Sequence, residues 1–216
     1  MPKKTYLLGI DIETGGPILD SHPLLAVGFC MYVWNGRCND QSTLTLVDTC
    51  EVHMEAHIDS YEPDTLEFWI KNKEAWEAVR SDTVSKKEAA EILIRFLRKW
   101  QLEALTTNMS FKIITDNCWF DDTWTSWFLC THGNHVGGRP LRHNYYSGFT
   151  RVDHMTDVNQ RIQAVTSDMG SMVKLLPFQA SVPHDHTPVS DARGIVEKYV
   201  NYMHSLAMYR LRGTKA

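Results

Sequence analysis

The chain of 216 residues has no apolar run long enough to cross a bilayer; nothing in it approaches about 18 uninterrupted apolar residues. It also lacks an excess of positive charge, since 22 Lys and Arg face 26 Asp and Glu for a formal net charge of −4. A protein that coats duplex nucleic acid without regard to sequence needs the opposite balance. An enzyme with an acidic centre and a few local basic residues does not. The five cysteines, Cys30, Cys38, Cys50, Cys118 and Cys130, are odd in number and form no CxxC pair. Thiols in a reducing compartment are therefore expected, not a disulfide framework. The start, "MPKKTYLLGIDIE", is basic but too briefly apolar for a signal peptide. Repeats, low-complexity tracts and linkers are missing as well. These absences lead us to expect one domain over residues 1–216, in the cytoplasm, with no membrane partner.

What is present reads as alternating strand and helix. Residues 5–12 suit a buried strand, 24–34 a second, and 42–48 a third that alternates as if half exposed. Short turn-forming links between them predict an antiparallel meander. Helical spacing follows in "EPDTLEFWIKNKEAWEAV", with Asp64 as the expected N-cap and Glu67 three residues on. "SKKEAAEILIRFLRKW" predicts the clearest helix, opened by Ser85 and Glu88 as a capping box. "FKIIT" at 111–115 is a short strand running into a helix. Residues 131–150 read as a loop, 151–165 as a short strand then helix, 176–188 as a loop, and 190–211 as a closing helix. The order βββ-α-β-α-β-α predicts one mixed sheet with helices packed on it.

"LLGIDIETGGP" places Asp11 and Glu13 on one face of a strand end, where two carboxylates repel unless a shared proton or a hard cation lies between them. A solvated strand end is the bland alternative. Asp116, Asn117, Asp121 and Asp122 cluster after the fourth strand, and His184, His186 and Asp191 before the last helix. Taken singly, Asp116, Asn117 and Asp191 are also plausible helix caps.

Together "DIET", "NCWFD" and "HTPVSD" resemble the three motifs of the DnaQ-like, DEDDh-type 3′→5′ exonucleases of the ribonuclease H-like superfamily. Asp11 and Glu13 stand for Asp-x-Glu, with Thr14 and Gly15 following as is usual. Asn117, Phe120 and Asp121 stand for Asn-x-x-Phe-Asp, and His186 precedes Asp191 by five residues. Two positions depart: Pro188 where the family often has Ala, and Asp116 where it often has His. The Trp-containing segment "DTLEFWIKNKEAW" is similar to that of DexA and RNase AS-type members.

The resemblance implies an α/β, ribonuclease H-like mixed β-sheet flanked by α-helices. It also implies a 3′→5′ exonuclease that hydrolyses single-stranded nucleic acid (RNA or DNA) with a free 3′ end to nucleoside 5′-monophosphates. Asp11, Glu13, Asp121 and Asp191 would hold two Mg²⁺ ions, with Mn²⁺ able to substitute, and His186 would be the general base. His184 lacks the five-residue spacing and is expected to matter far less. Thr14, Gly15, Asn117, Trp119, Phe120 and Trp69 are the candidate substrate contacts, although Phe120 suits a place under the site and Trp69 suits core as well as stacking. Several relatives are dimers, so a homodimer is one expectation. The rival readings are a catalytically silent nucleic-acid-binding or scaffold module of the same fold and a ribonuclease H-like endonuclease. Cys130, His132, His135 and His143 have no standard zinc spacing.

Overall fold

Strand β1, Thr5–Thr14, is buried along nearly its whole length, as the near-continuous apolar run requires of a strand covered on both faces. In the computed structural model, which describes residues 4–35, 44–133, 151–154 and 180–213, β1 is the middle of a five-stranded sheet. Its neighbour β2, Leu24–Trp34, runs antiparallel to it and is equally buried. β3, Leu44–His53, pairs antiparallel with β2 at the edge and is mostly exposed, which explains its alternating sequence. β4, Ser110–Thr115, and β5, Arg151–His154, add in parallel on the other side, giving the order β3-β2-β1-β4-β5. The expected meander and mixed α/β sheet are both present.

Helices cover the two faces. α1 is Pro63–Lys71, α2 Lys73–Val79, α3 Lys86–Thr106, α4 Thr123–His132 and α5 Pro188–Gly213. On one face α3 and α4 bury Leu93, Phe96, Leu97, Trp124 and Phe128 against Tyr6, Leu8, Ile10 and Ile12 of β1. On the other, α5 buries Ala192, Ile195, Val196 and Tyr199 against Leu7, Cys30, Tyr32 and Ile114. Ser85 caps α3 as expected, accepting from the Glu88 N–H at 3.3 Å. α1 begins earlier than the sequence suggested. Glu62, not Asp64, is its N-cap, accepting the Thr65 N–H at 2.7 Å, with Pro63 at the first helical position. α4 runs to His132, into the expected loop at 131–150; residues 134–150 of that loop, the helix after residue 154 and the start of the loop before α5 lie outside the described residues, as do His135 and His143.

Two glycines set the height of α5 above the sheet. A Cβ at Gly28 of β2 would lie 2.2 Å from the Pro188 carbonyl carbon and 2.4 Å from the Val189 nitrogen. One at Gly9 of β1 would lie 2.6 Å from the Ala192 carbonyl oxygen and 2.7 Å from Val196. Neither helix turn could sit where it does over any other residue. Gly28 is the register partner of Asp11, and Glu51 of β3 is in turn the partner of Gly28. The Glu51 carboxylate accepts the Val189 N–H at 3.0 Å, tying the first turn of α5 to the edge strand.

Candidate active site

Alternation along β1 puts Ile10 and Ile12 toward α3 and points Asp11 and Glu13 to the α5 side. There α5, lowered onto the two glycines, presents Asp191 from its first turn. Carboxylate oxygens of Asp11, Glu13 and Asp191 lie within 4.8 Å of one another. β4 supplies the fourth acid. Its parallel register ends with Thr115 beside Ile10, and the chain then turns through a π-helical segment, Cys118–Asp122. Within that turn the Asn117 N–H donates to Asp121 Oδ2 at 3.0 Å, and the Asp121 N–H donates to the Asn117 carbonyl at 2.9 Å. Asp121 is thereby fixed and only 4% exposed.

The electrostatics follow from that crowding. Burial, reinforced by the charges of Asp121, Glu13, Asp191 and Asp116, holds the Asp11 carboxyl well above the usual range. Burial and then Asp191 and Asp121 push Glu13 to about 9. Burial also raises Asp121 to about 7 despite the Asn117 N–H that favours its charged form. Like charges 4 Å apart repel by about 4 kcal/mol at an effective dielectric of about 20. The arrangement is costly for carboxylates alone and favourable around a hard cation, whose preferred ligands are oxygens.

The segment before α5 folds back on Asp191. The N–H groups of Asp185 and His186 reach its Oδ1 and Oδ2 at 3.3 and 3.1 Å, and His186 adopts a left-handed backbone with φ 59°. The His186 ring lies edge-on to Phe68, with centroids 5.0 Å apart. His184 is closer to the chemistry than its sequence spacing implied, because its Nδ1 lies 2.9 Å from Asp191 Oδ2. The left-handed residue between them is what brings an off-register histidine onto the same carboxylate.

The substrate candidates divide. Gly15 is held in the turn after β1, its N–H donating to the Pro23 carbonyl and its carbonyl accepting from Glu62. The Thr14 hydroxyl is turned inward, donating to the Gly16 carbonyl. Phe120 is partly buried against the core beside Trp124, beneath the acids and not open above them. Asn117 is exposed at the rim, while the Trp119 side chain is outside the described residues. Trp69 requires a correction. It is 1% exposed, and its indole N–H donates to the Thr14 carbonyl at 3.0 Å, so it braces the turn and offers no face to a base. Phe68, 38% exposed, is the aromatic side chain on α1 that opens toward His186.

No family model matches the chain, and no curated protein matches it in sequence. Solved structures do. The nuclease domain of 3′hExo, a DEDDh family member bound to rAMP, is 13% identical with a TM-score of 0.52, over 94% of this chain and 92% of that one. A 3′-exonuclease solved for its 3′-end specific recognition of a histone mRNA stem-loop is 15% identical with a TM-score of 0.57, over 93% of this chain. This chain spans 64% of that protein's length, less than two thirds. S. pombe Pop2p in its Mg²⁺- and Mn²⁺-bound form is 12% identical with a TM-score of 0.51, over 90% of this chain and 81% of that one. At such identities the likeness is one of fold: the ribonuclease H-like mixed α/β sheet flanked by helices is shared with the nuclease domain of 3′hExo.

Proposed function

We propose that the protein is a metal-dependent 3′→5′ exonuclease that shortens single-stranded RNA or DNA, releasing nucleoside 5′-monophosphates. The observation that carries this reading is convergence. Carboxylates of Asp11, Glu13 and Asp191 from two distant segments lie within 4.8 Å of one another, Asp121 from a third is near enough to raise Asp11 and Glu13, and the His186 N–H is bonded to Asp191. Helix capping explains one such acid at a time, and none of the capping explanations requires the four to meet.

The donor set fits divalent cations of the Mg²⁺ or Mn²⁺ kind, because every candidate ligand is a carboxylate and burial disfavours the charges of Asp11 and Glu13. Pop2p, of similar fold, has been solved with both metals. Asp11, Glu13 and Asp191 would share one ion, and Asp11 and Asp121 the other. Two such ions supply activation of water for attack and relief of charge on the leaving 3′-oxygen.

The chain's own residues do the rest. His186 takes the proton from the attacking water, and its placement is secured by its own N–H on Asp191 and by the Phe68 ring. The turn at Thr14–Gly15 receives the terminal nucleotide. Trp69 stiffens that turn from below, and Phe68 offers an apolar edge to the terminal base. His184 keeps Asp191 oriented. The reading takes the chain as one domain.

The deciding experiment gives the protein 5′-labelled single-stranded RNA and DNA of equal sequence, with Mg²⁺ or with EDTA. A Mg²⁺-dependent ladder shortening from the 3′ end is expected. Undiminished hydrolysis in excess EDTA, internal cuts, or binding that never shortens the strand would overturn the reading.

A further inference from the structure

A cavity of about 420 Å³ adjoins the carboxylate cluster, lined by Asp11, Asp116 and Asp191 together with His184, Ala180 and Lys198 among others. Lys198 is the one lysine or arginine among its described lining residues. It has no hydrogen-bond or ion-pair partner among the described residues, although carboxylates share its cavity. An ammonium with no partner among the described residues, on a half-buried stem in an acidic cavity, is placed for an anion that arrives from outside.

Position along α5 identifies that anion. Lys198 follows Asp191 by seven residues, two helical turns, so both project from the same side of the helix about 10 Å apart along its axis. α5 begins over Gly28 of β2, crosses Gly9 of β1 and reaches β4, where the Lys112 ammonium donates to the Tyr199 hydroxyl at 3.0 Å. Lys198 therefore stands at the β4 end of that traverse. The Thr14–Gly15 turn and Phe68 stand at the other end, past the carboxylates. A strand whose 3′-terminal nucleotide occupies the turn has its scissile phosphate over the acids and its next phosphate toward Lys198.

We infer that Lys198 is a substrate-contacting residue that grips the phosphate immediately 5′ to the scissile one. This inference rests on the exonuclease reading and adds a specificity to it. Divalent cations held by Asp11, Glu13, Asp121 and Asp191 would offset the charge of the scissile phosphate, whereas its neighbour lies beyond those residues and needs a cation from the chain. The enzyme then distinguishes a dinucleotide that carries a 5′-phosphate from one that does not, since only the former offers the second phosphate.

The test compares wild type, Lys198→Ala and Lys198→Arg on 5′-phosphorylated and unphosphorylated dinucleotides in Mg²⁺. Wild type should favour the phosphorylated one in kcat/KM by at least roughly tenfold, the scale of one charge-assisted hydrogen bond. Lys198→Ala should bring the ratio close to one through KM, and Lys198→Arg should keep most of it. Binding of a 5′-labelled decamer in Ca²⁺, followed by anisotropy, should show a salt slope shallower by about 0.7 in Lys198→Ala. A wild-type ratio near one, or a ratio and slope unchanged in a Lys198→Ala protein of normal melting temperature, overturns the assignment while leaving the exonuclease intact. Absence of hydrolysis by wild type on any strand overturns the exonuclease reading, and this assignment with it.

Discussion

The two sides of β1 are built to different ends from one run of ten residues. Toward α3 and α4 the strand shows Tyr6, Leu8, Ile10 and Ile12, a row of apolar side chains in the largest core cluster. Toward α5 it shows Leu7, then Gly9, then Asp11 and Glu13. The first side contributes about 1.5–3 kcal/mol for each large apolar side chain it buries. The second surrenders that gain step by step, first to the close approach of a helix and then to charges that burial disfavours. Adjacent residues a single position apart thus differ in kind: one side stores stability, and the other spends some of it on a place for chemistry.

Neighbouring substitutions break the comparison most sharply. Asp11→Ala should remove hydrolysis to the limit of detection while the EDTA-treated variant melts no lower than wild type, since it relieves repulsion. Ile10→Ala should do the reverse, losing about 2–5 kcal/mol of stability with kcat of the folded enzyme within a few-fold of normal. Denaturant melts and single-strand degradation on both variants decide the matter. A stable, active Asp11→Ala enzyme would remove the distinction between the faces.

The two histidines before α5 give the next largest effect. His186→Ala should lower kcat by roughly 10²–10⁴-fold, as loss of a general base does. His184→Ala removes a contact to Asp191 at 2.9 Å and should cost far less in the same single-strand degradation assay. If His184→Ala is the damaging change and His186→Ala is close to wild type, the roles are exchanged.

A smaller effect is thermodynamic. With folded values of about 9 for Glu13 and about 7 for Asp121, and unfolded values of about 4, the native state holds protons that the unfolded chain has released. Stability of the metal-free protein from these groups is full below about pH 4 and declines as pH rises toward 9. Under the proposed function Mg²⁺ would bind only the folded, deprotonated cluster, so its stabilisation should grow with pH. Melting scans at pH 5 and pH 8, with and without Mg²⁺, should show an upshift of several degrees that is larger at pH 8. An equal shift at both would contradict the protonated cluster.

Much of this was legible in the residues. The Asp-x-Glu at a strand end, Asn117 to Asp121 after a short strand, and the five-residue interval to Asp191 each fell on the element expected, because periodicity and motif agreed there. The sequence leaves Trp69 open between core and stacking for a local reason. Phe68 and Trp69 are adjacent, so helical phase alone decides which is buried, and placing the cap at Asp64 instead of Glu62 left that phase undefined. Spacing alone ranks His184 low, because spacing cannot register a left-handed residue that doubles the chain back. Gly9 and Gly28 carry a signal of their own, since an isolated glycine inside a strand is a sign that backbone comes close.

Those two glycines bear on how a mutational survey of the protein would be interpreted. Gly28→Ala should act as a wedge under Pro188 and Val189, with an overpacking cost of about 1–3 kcal/mol. Lifting Asp191 and His186 by even an ångström should lose activity on the order of 10²-fold. In a ranking by lost function the variant would stand among the ligand mutants, and a reader of the ranking would look for what Gly28 binds. It binds nothing. Tolerance at that position measures vacancy, and because a Cβ there would meet only the backbone of Pro188 and Val189, no side-chain trim on the helix should recover the lost turnover.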